Sequence, residues 1–231
     1  MRRRQILGLA VMLMAATARG QETGVVEGFV GFGDNFPPPK KLTVTKDHVV
    51  CGRSVPDEEF VIDPASHGLA NAVIFWALPE GEQAPAGPPT VVLAQEGCRY
   101  EPHVQVAGAG AGTLQVLNND GILHNVHVYD DDGNTFFNFA QPGFKKQIDK
   151  DLPDSRIINV QCDVHDWMSA WIISLPNSRY AITDAQGRFR LEGLAPGSQQ
   201  VRIWHEGLGS SSKAVTVVAG QVATLDFVIG K

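Results

Sequence analysis

The stretch Val160-Gln161-Cys162-Asp163-Val164-His165-Asp166-Trp167-Met168 places a thiol, an imidazole and a thioether three residues apart from one another. Three such donors at this spacing suit a loop between two strands. Thiolate, imidazole and thioether are soft or borderline ligands, and together they select copper over calcium or magnesium. A Cys with two His in a plane and a weak, long Met is an arrangement for moving single electrons at copper.

That set needs a second imidazole. The segment Asn118-Asn119-Asp120-Gly121-Ile122-Leu123-His124-Asn125-Val126-His127 offers two. On a strand, His124 and His127 are an odd number apart and face opposite sides. Only one can meet Cys162 and His165. His124 is the expected ligand, because Asn125 beside it can hydrogen-bond across to the ligand loop and fix its geometry. Methionine usage points the same way. The four Met stand at 1, 12, 14 and 168, so removal of a leader leaves Met168 alone. Core-filling methionines usually come in numbers; a lone one six residues after a Cys reads as a ligand.

The remaining candidates read as structural. His127 is a surface or packing residue, and His103, His48, His67 and His205 are bland, with His205 beside Glu206 suggesting an ion pair. Asp130-Asp131-Asp132-Gly133-Asn134 has its glycine too early for an EF-hand loop and is an Asp-Gly hairpin turn. Trp167 and Trp171 flank the ligand loop as core residues, and Trp167 is placed to keep water from a metal. Ser66-His67 lacks any nucleophile context.

The elements that must position these donors are strands. Gly 24 and Pro 14 give many turns, and 43% hydrophobic residues are enough for a packed core. Short apolar or β-branched runs fall at 24–30, 42–45, 72–78, 91–93, 103–106, 114–117, 125–129, 135–139, 157–160 and 170–175. A Pro/Gly/Ala-rich loop over 79–89 interrupts them. After Pro176 five more strand candidates follow, at 180–183, 188–191, 199–204, 214–218 and 224–229. No amphipathic helix longer than two turns is expected. The fold class is all-β: a large β-sandwich over 21–176 and a small second one over 177–231 that packs on it.

Residues 1–20 read as an export signal: Arg2, Arg3 and Arg4, then an apolar run over 6–16 too short to span a bilayer, then Ala16-Thr17-Ala18 as a cleavage signature. Arg3-Arg4-Gln5-Ile6-Leu7 also resembles a twin-arginine signal. The expected location is the periplasm or the exterior, with no membrane span in the mature chain. The net charge of -6 becomes more negative when the leader arginines are lost. An acidic chain without a basic stripe argues against nucleic acid as a partner.

Residues 98–175 resemble the cupredoxins, the plastocyanin and amicyanin family of blue copper proteins. The carriers are Tyr100-Glu101-Pro102 before an alternating strand, the Asn-rich turn running into His124-Asn125, and Cys162-x-x-His165-x-x-Met168 with its short, amicyanin-like spacing. The resemblance implies a Greek-key β-sandwich and one type 1 copper held by His124, Cys162, His165 and Met168. It implies one-electron transfer through the edge of His165 to a partner such as a cytochrome or dehydrogenase, and no enzymatic turnover. The acidic surface would help dock a basic partner. Residues 22–95 exceed what a minimal cupredoxin needs. With Cys162 on the metal, Cys51 and Cys98 are left to pair in an oxidising compartment, the alternative being a metal role for Cys98 beside His103. Residues 178–231 resemble the carboxypeptidase regulatory-like, or transthyretin-like, β-sandwich modules, through Thr183-Asp184-Ala185-Gln186-Gly187-Arg188-Phe189, Leu194-Ala195-Pro196-Gly197 and Trp204-His205-Glu206. Those modules are structural or adhesive and imply no peptidase. Three rivals stay open: a copper carrier without redox turnover, a type 2 copper enzyme using His103 and His127, and a structural envelope module without metal.

Overall fold

A computed structural model describes residues 22–33, 35–81, 85–110 and 112–229. The export segment expected over 1–20 lies outside the described residues. Among the described residues no helix is long and apolar enough to cross a membrane.

The chain is all-β, and its strands build two sandwiches. Strands β1 (Gly24–Phe32), β2 (Lys41–Thr43), β3 (Ser54–Pro56) and β4 (Val73–Trp76) precede the first of them, with one short helix, α1 (His48–Cys51), between β2 and β3. One sheet of the first sandwich holds β5 (Thr90–Glu96), β6 (Arg99–Glu101), β8 (Thr113–Asn118) and β11 (Gln147–Asp151), in the order β11-β8-β5-β6. The facing sheet holds β7 (Val104–Gly108), β9 (His124–Tyr129), β10 (Thr135–Gln141), β12 (Ile157–Gln161) and β13 (Ser169–Leu175), in the order β10-β9-β12-β13-β7.

Alternation decides which side chains close this core. In β8 the sequence Thr-Leu-Gln-Val-Leu-Asn buries Leu114, Val116 and Asn118 and leaves the residues between them half-buried. In β9, Val126 and Val128 point inward with His124, while His127 and Tyr129 lie on the other face. Val91, Leu93, Leu114 and Val116 of one sheet pack on Val126, Val128, Ile158, Val160, Ala170 and Ile172 of the other.

The second sandwich, expected over 177–231, also takes strands from before residue 177. Its sheets use β14 (Tyr180–Ile182), β15 (Arg188–Leu194), β16 (Gly197–His205), β17 (Gly209–Val217), β18 (Val222–Thr224) and β19 (Phe227–Ile229). They also use β1 and β4. β1 pairs antiparallel with β15 and parallel with both β18 and β19, so it is the strand on which that sheet is built. β4 sits between β14 and β16 in the other sheet. The physical reason is edge satisfaction. Without β1, the ladder groups of β15, β18 and β19 that it pairs would be open to solvent. Val26 and Val30 from β1 and Ile74 and Trp76 from β4 then share a core with Leu191, Val201 and Ile203.

The two sandwiches meet at β13. Its inner face gives Ala170 and Ile172 to the first core. Its outer face gives Ile173 and Leu175 to a third cluster with Val73, Val104, Val106 and Trp204. A strand covered on both faces explains the continuous apolar run Trp171-Ile172-Ile173. The hairpin β2–β3 with α1 lies apart from these sheets and packs Val44, Cys51 and Val55 onto the first core.

Candidate metal centre

The first donor comes from a turn that folds on its own amide. Buried Asn118 accepts the Gly121 N–H at 3.0 Å and donates to the Ile122 carbonyl at 2.8 Å and the Gln141 carbonyl at 3.2 Å. Gly121 has φ 72°, the left-handed conformation such a turn needs. The turn delivers His124 to the first position of β9, fully buried.

The second and third donors come from the loop between β12 and β13. Cys162 donates its N–H to the Met168 carbonyl at 3.3 Å, and Met168 donates to the His165 carbonyl at 2.9 Å, so the loop closes on itself. Cys162 and Met168 are each 2% exposed and lie in the same core cluster; His165 is at 0%. The Cys162 Sγ accepts N–H groups from Asn125 at 3.4 Å and His165 at 3.3 Å.

These residues converge. His124 Nδ1 lies 2.9 Å from His165 Nδ1, and His165 Nδ1 lies 3.9 Å from Cys162 Sγ. One ligand atom from each of the three falls within 4.8 Å of the others. Each ring meets a carboxylate at its outer nitrogen. His124 Nε2 is 2.8 Å from Asp120 Oδ2, and His165 Nε2 is 2.9 Å from Asp47 Oδ2. Protons on both Nε2 atoms leave both Nδ1 lone pairs facing inward. Two lone pairs that close repel unless a proton or a cation lies between them. The donor chemistry therefore fits a thiophilic metal ion.

The thiol is tuned for the same role. Burial pushes the Cys162 pKa up, but the contacts with the His124 and His165 rings and the hydrogen bonds from the Asn125 and His165 N–H groups outweigh it, bringing the thiol down to about 6. Burial pushes His124 down, but Asp120 and Cys162 outweigh it and hold its imidazole above the usual histidine range. A thiol lowered in this way, beside an imidazole braced by a carboxylate, suits a thiolate ligand.

Asn125 crosses to the ligand loop as the sequence suggested. Its Oδ1 accepts the Asp163 N–H, and its Nδ2 donates to Asp163 Oδ2 at 3.3 Å. His127 points away, held by Asp163 at 2.9 Å and Thr135 at 2.7 Å and stacked on Tyr129. His103 is also outside the cluster: its Nδ1 donates to the Ser169 carbonyl at 3.1 Å and its Nε2 meets Glu206. Cys51 and Cys98 form a disulfide, 47 residues apart in the chain. That removes the Cys98 thiolate from a second geometric grouping of Cys98, Asp120 and His124, which offers no third donor.

Four contacts around these side chains are not expected from the sequence. Asp120 is legible as a carboxylate four residues before His124 in the Asn-rich turn, but its contact with the ring is not. Asp47 carries no local signal, since its contact is 118 residues away. Tyr100 donates to the Asn125 carbonyl at 2.5 Å, and Trp167 donates to the Cys98 carbonyl at 3.0 Å. The ring edge of His165, expected as an electron exit, does not reach solvent; Asp47 covers it.

Residues 172–230 match the family model of the carboxypeptidase regulatory-like domain. The match begins inside β13 and omits β1 and β4, which complete the sandwich in space. No curated protein matches the chain. Solved structures similar to it include a mutant of amicyanin in its Cu(I) form, at 16% identity and a TM-score of 0.31 over 46% of this chain and 99% of that one. Amicyanin from Paracoccus versutus is similar at 15% identity and a TM-score of 0.31, over 44% of this chain and 97% of that one. A purple cupredoxin from Nitrosopumilus maritimus is similar at 15% identity and a TM-score of 0.29, over 37% of this chain and 99% of that one.

Proposed function

We propose that this protein is an exported type 1 copper protein that carries single electrons. The observation that carries the reading is the buried convergence of His124 Nδ1, His165 Nδ1 and Cys162 Sγ, with ligand atoms within 4.8 Å of one another. Met168, two per cent exposed in the same core, is the weak fourth donor.

Copper would supply a one-electron couple at this position. The chain's own residues do the rest. Cys162 presents a thiolate, held by the N–H groups of Asn125 and His165. His124 and His165 present neutral Nδ1 atoms, each ring fixed from outside. Asn125 ties the strand of one histidine to the loop of the other, so the donors keep one arrangement as charge changes. Burial of all four donors and the Trp167 indole keep water out. A basic cytochrome or dehydrogenase is the partner class that an acidic exported chain would meet. No substrate-turnover role is assigned to the centre.

The test is an absorption spectrum of the mature protein on addition of Cu(II). An intense visible band of thiolate-to-copper charge transfer is expected, and Cys162→Ser should abolish it. Absence of both the band and bound copper would leave the structural envelope reading in its place. A carrier that only stores or hands over copper uses the same donors. Voltammetry separates the two: the electron carrier gives a fast, reversible couple, and the store does not.

A further inference from the structure

Both histidines carry a carboxylate on the nitrogen that faces away from the thiol, and the two carboxylates come from separate parts of the chain. Asp120 belongs to the turn before β9. It accepts the Gly97 N–H at 2.7 Å and the Cys98 N–H at 3.0 Å while meeting His124. Asp47 stands at the start of α1, outside both sandwiches, and meets His165. The same short helix ends at Cys51, which is bonded to Cys98.

Cys98 is therefore a hub. Its N–H holds Asp120, which holds His124. Its carbonyl accepts the Trp167 indole, whose ring lies 5.0 Å from that of His165. Its sulfur holds α1, whose Asp47 holds His165. The backbone is bent to do this. Asp47 has φ 52° and Cys98 has φ 54°, both in the left-handed region that a side chain with a Cβ rarely occupies. Strained conformations of this kind persist where the surroundings over-determine them. Here the surroundings are the disulfide and the two carboxylate contacts.

We propose that Asp47 and Asp120 are positioning residues that clamp both histidines from outside, and that the Cys51–Cys98 bridge joins the two carboxylates into one frame over the metal centre. The effect on copper rests on the reading of the previous subsection; the clamp itself does not. A carboxylate on Nε2 fixes ring orientation and makes Nδ1 a stronger donor. A stronger anionic donor set favours Cu(II) over Cu(I). The strap carrying Asp47 also closes the ring edge of His165, so a metal ion leaves only after the strap lifts or the loop opens.

Asp47→Asn tests this at low folding risk, because the Asp47 side chain is 46% exposed. The variant should keep the charge-transfer band. It should release Cu(I) to a chelator at least about tenfold faster, by the usual loss when such a partner is removed. Its reduction potential should rise, a tenfold change in relative affinity being about 59 mV for one electron. Asp120→Asn should shift the potential the same way, and Asp47→Glu should recover most of the wild-type values. Glu96→Gln, which removes an exposed charge that accepts the Asn119 side-chain amide, should change neither. A band with unchanged potential and release in both Asp variants overturns the clamp. A second measurement needs no copper. In the metal-free protein, nitrogen NMR should find protons on Nε2 of both His124 and His165, slow to exchange, with that of His165 fast in Asp47→Asn. A rapidly exchanging or unprotonated His165 Nε2 in the wild type overturns the clamp whether or not copper binds. A missing band with both protons present defeats only the copper reading.

Discussion

Cys162 gives the metal-free protein one of its pH-dependent contributions to stability. Its thiol lies near 6 because the His124 and His165 contacts and two N–H groups overcome burial. In the unfolded chain the thiol titrates near the ordinary cysteine value of about 8.5. The folded value is thus depressed. The stabilisation it gives is fully present above the unfolded value, declines across the window between the two, and is gone once pH falls below about 6. The thiolate's ultraviolet absorbance in the metal-free protein should titrate with a midpoint about 6, and the unfolded chain should titrate more than two pH units higher. A midpoint at the ordinary thiol value in the folded protein would mean that these contacts do not outweigh burial. At this scale the convergence of His124, Cys162 and His165 was legible, because ligand chemistry restricts residue type and the loop spacing is local. The sequence was uninformative about Asp47, because nothing in a chain marks a contact formed by a strap folding back from 118 residues away.

Among the elements, the role of β1 could not be read from its own residues. The sequence of 24–30 alternates weakly and suggests a strand, and a strand is what forms. Its partners lie more than 150 residues downstream, and hydrophobic period says nothing about which edge a strand will join. β4 is likewise silent about its partners, which lie more than 100 residues downstream. By contrast the paired alternation of β8 and β9 was legible, because one face is core and the other is not. It also assigned His124 and His127 to opposite faces. The placement of β1 makes a prediction about packing. Gly28 lies where a Cβ would come within 1.8 Å of the Leu225 carbonyl oxygen, which is backbone and cannot swing aside. Gly28→Val must push β1 away from the chain entering β19. It should destabilise the second sandwich by about 3 kcal/mol, the upper range for overpacking. Limited proteolysis should then cut within 178–229 and spare the first sandwich. Equal protection of the two sandwiches would show that β1 tolerates displacement and is not the strand on which that sheet depends.

The molecule as a whole is held together at β13 by more than apolar contact. Next to the third cluster, Glu206 of the second sandwich meets His103 Nε2 and accepts the Trp171 indole N–H at 2.7 Å. Both of those residues belong to the first sandwich. This polar joint was not visible in the sequence, where His103 reads as bland and Glu206 pairs more naturally with its neighbour His205. His205 instead packs its ring on Phe60, and burial brings it down to about 4, so it is neutral and unavailable as a cation. His103 takes the opposite course. Burial pushes it down, but the Glu206 hydrogen bond and charge, with Glu58 at 4.0 Å, outweigh that and raise it. A raised histidine stabilises fully below its unfolded value of about 6.5, and the contribution fades as pH rises through the folded value. Glu206→Gln keeps a hydrogen-bond acceptor for Trp171 and removes the charge that His103 needs. The variant should be less stable than the wild type by about 1–3 kcal/mol on the acid side of neutrality, the usual cost of a buried polar group losing its partner. The gap should narrow as pH is raised and His103 becomes neutral in both proteins. Thermal unfolding of the two proteins from pH 6 to 9, about the window in which a raised histidine loses its proton, reads the difference directly. A gap that stays constant across that range would mean that Glu206 joins the sandwiches through Trp171 alone, with His103 neutral throughout.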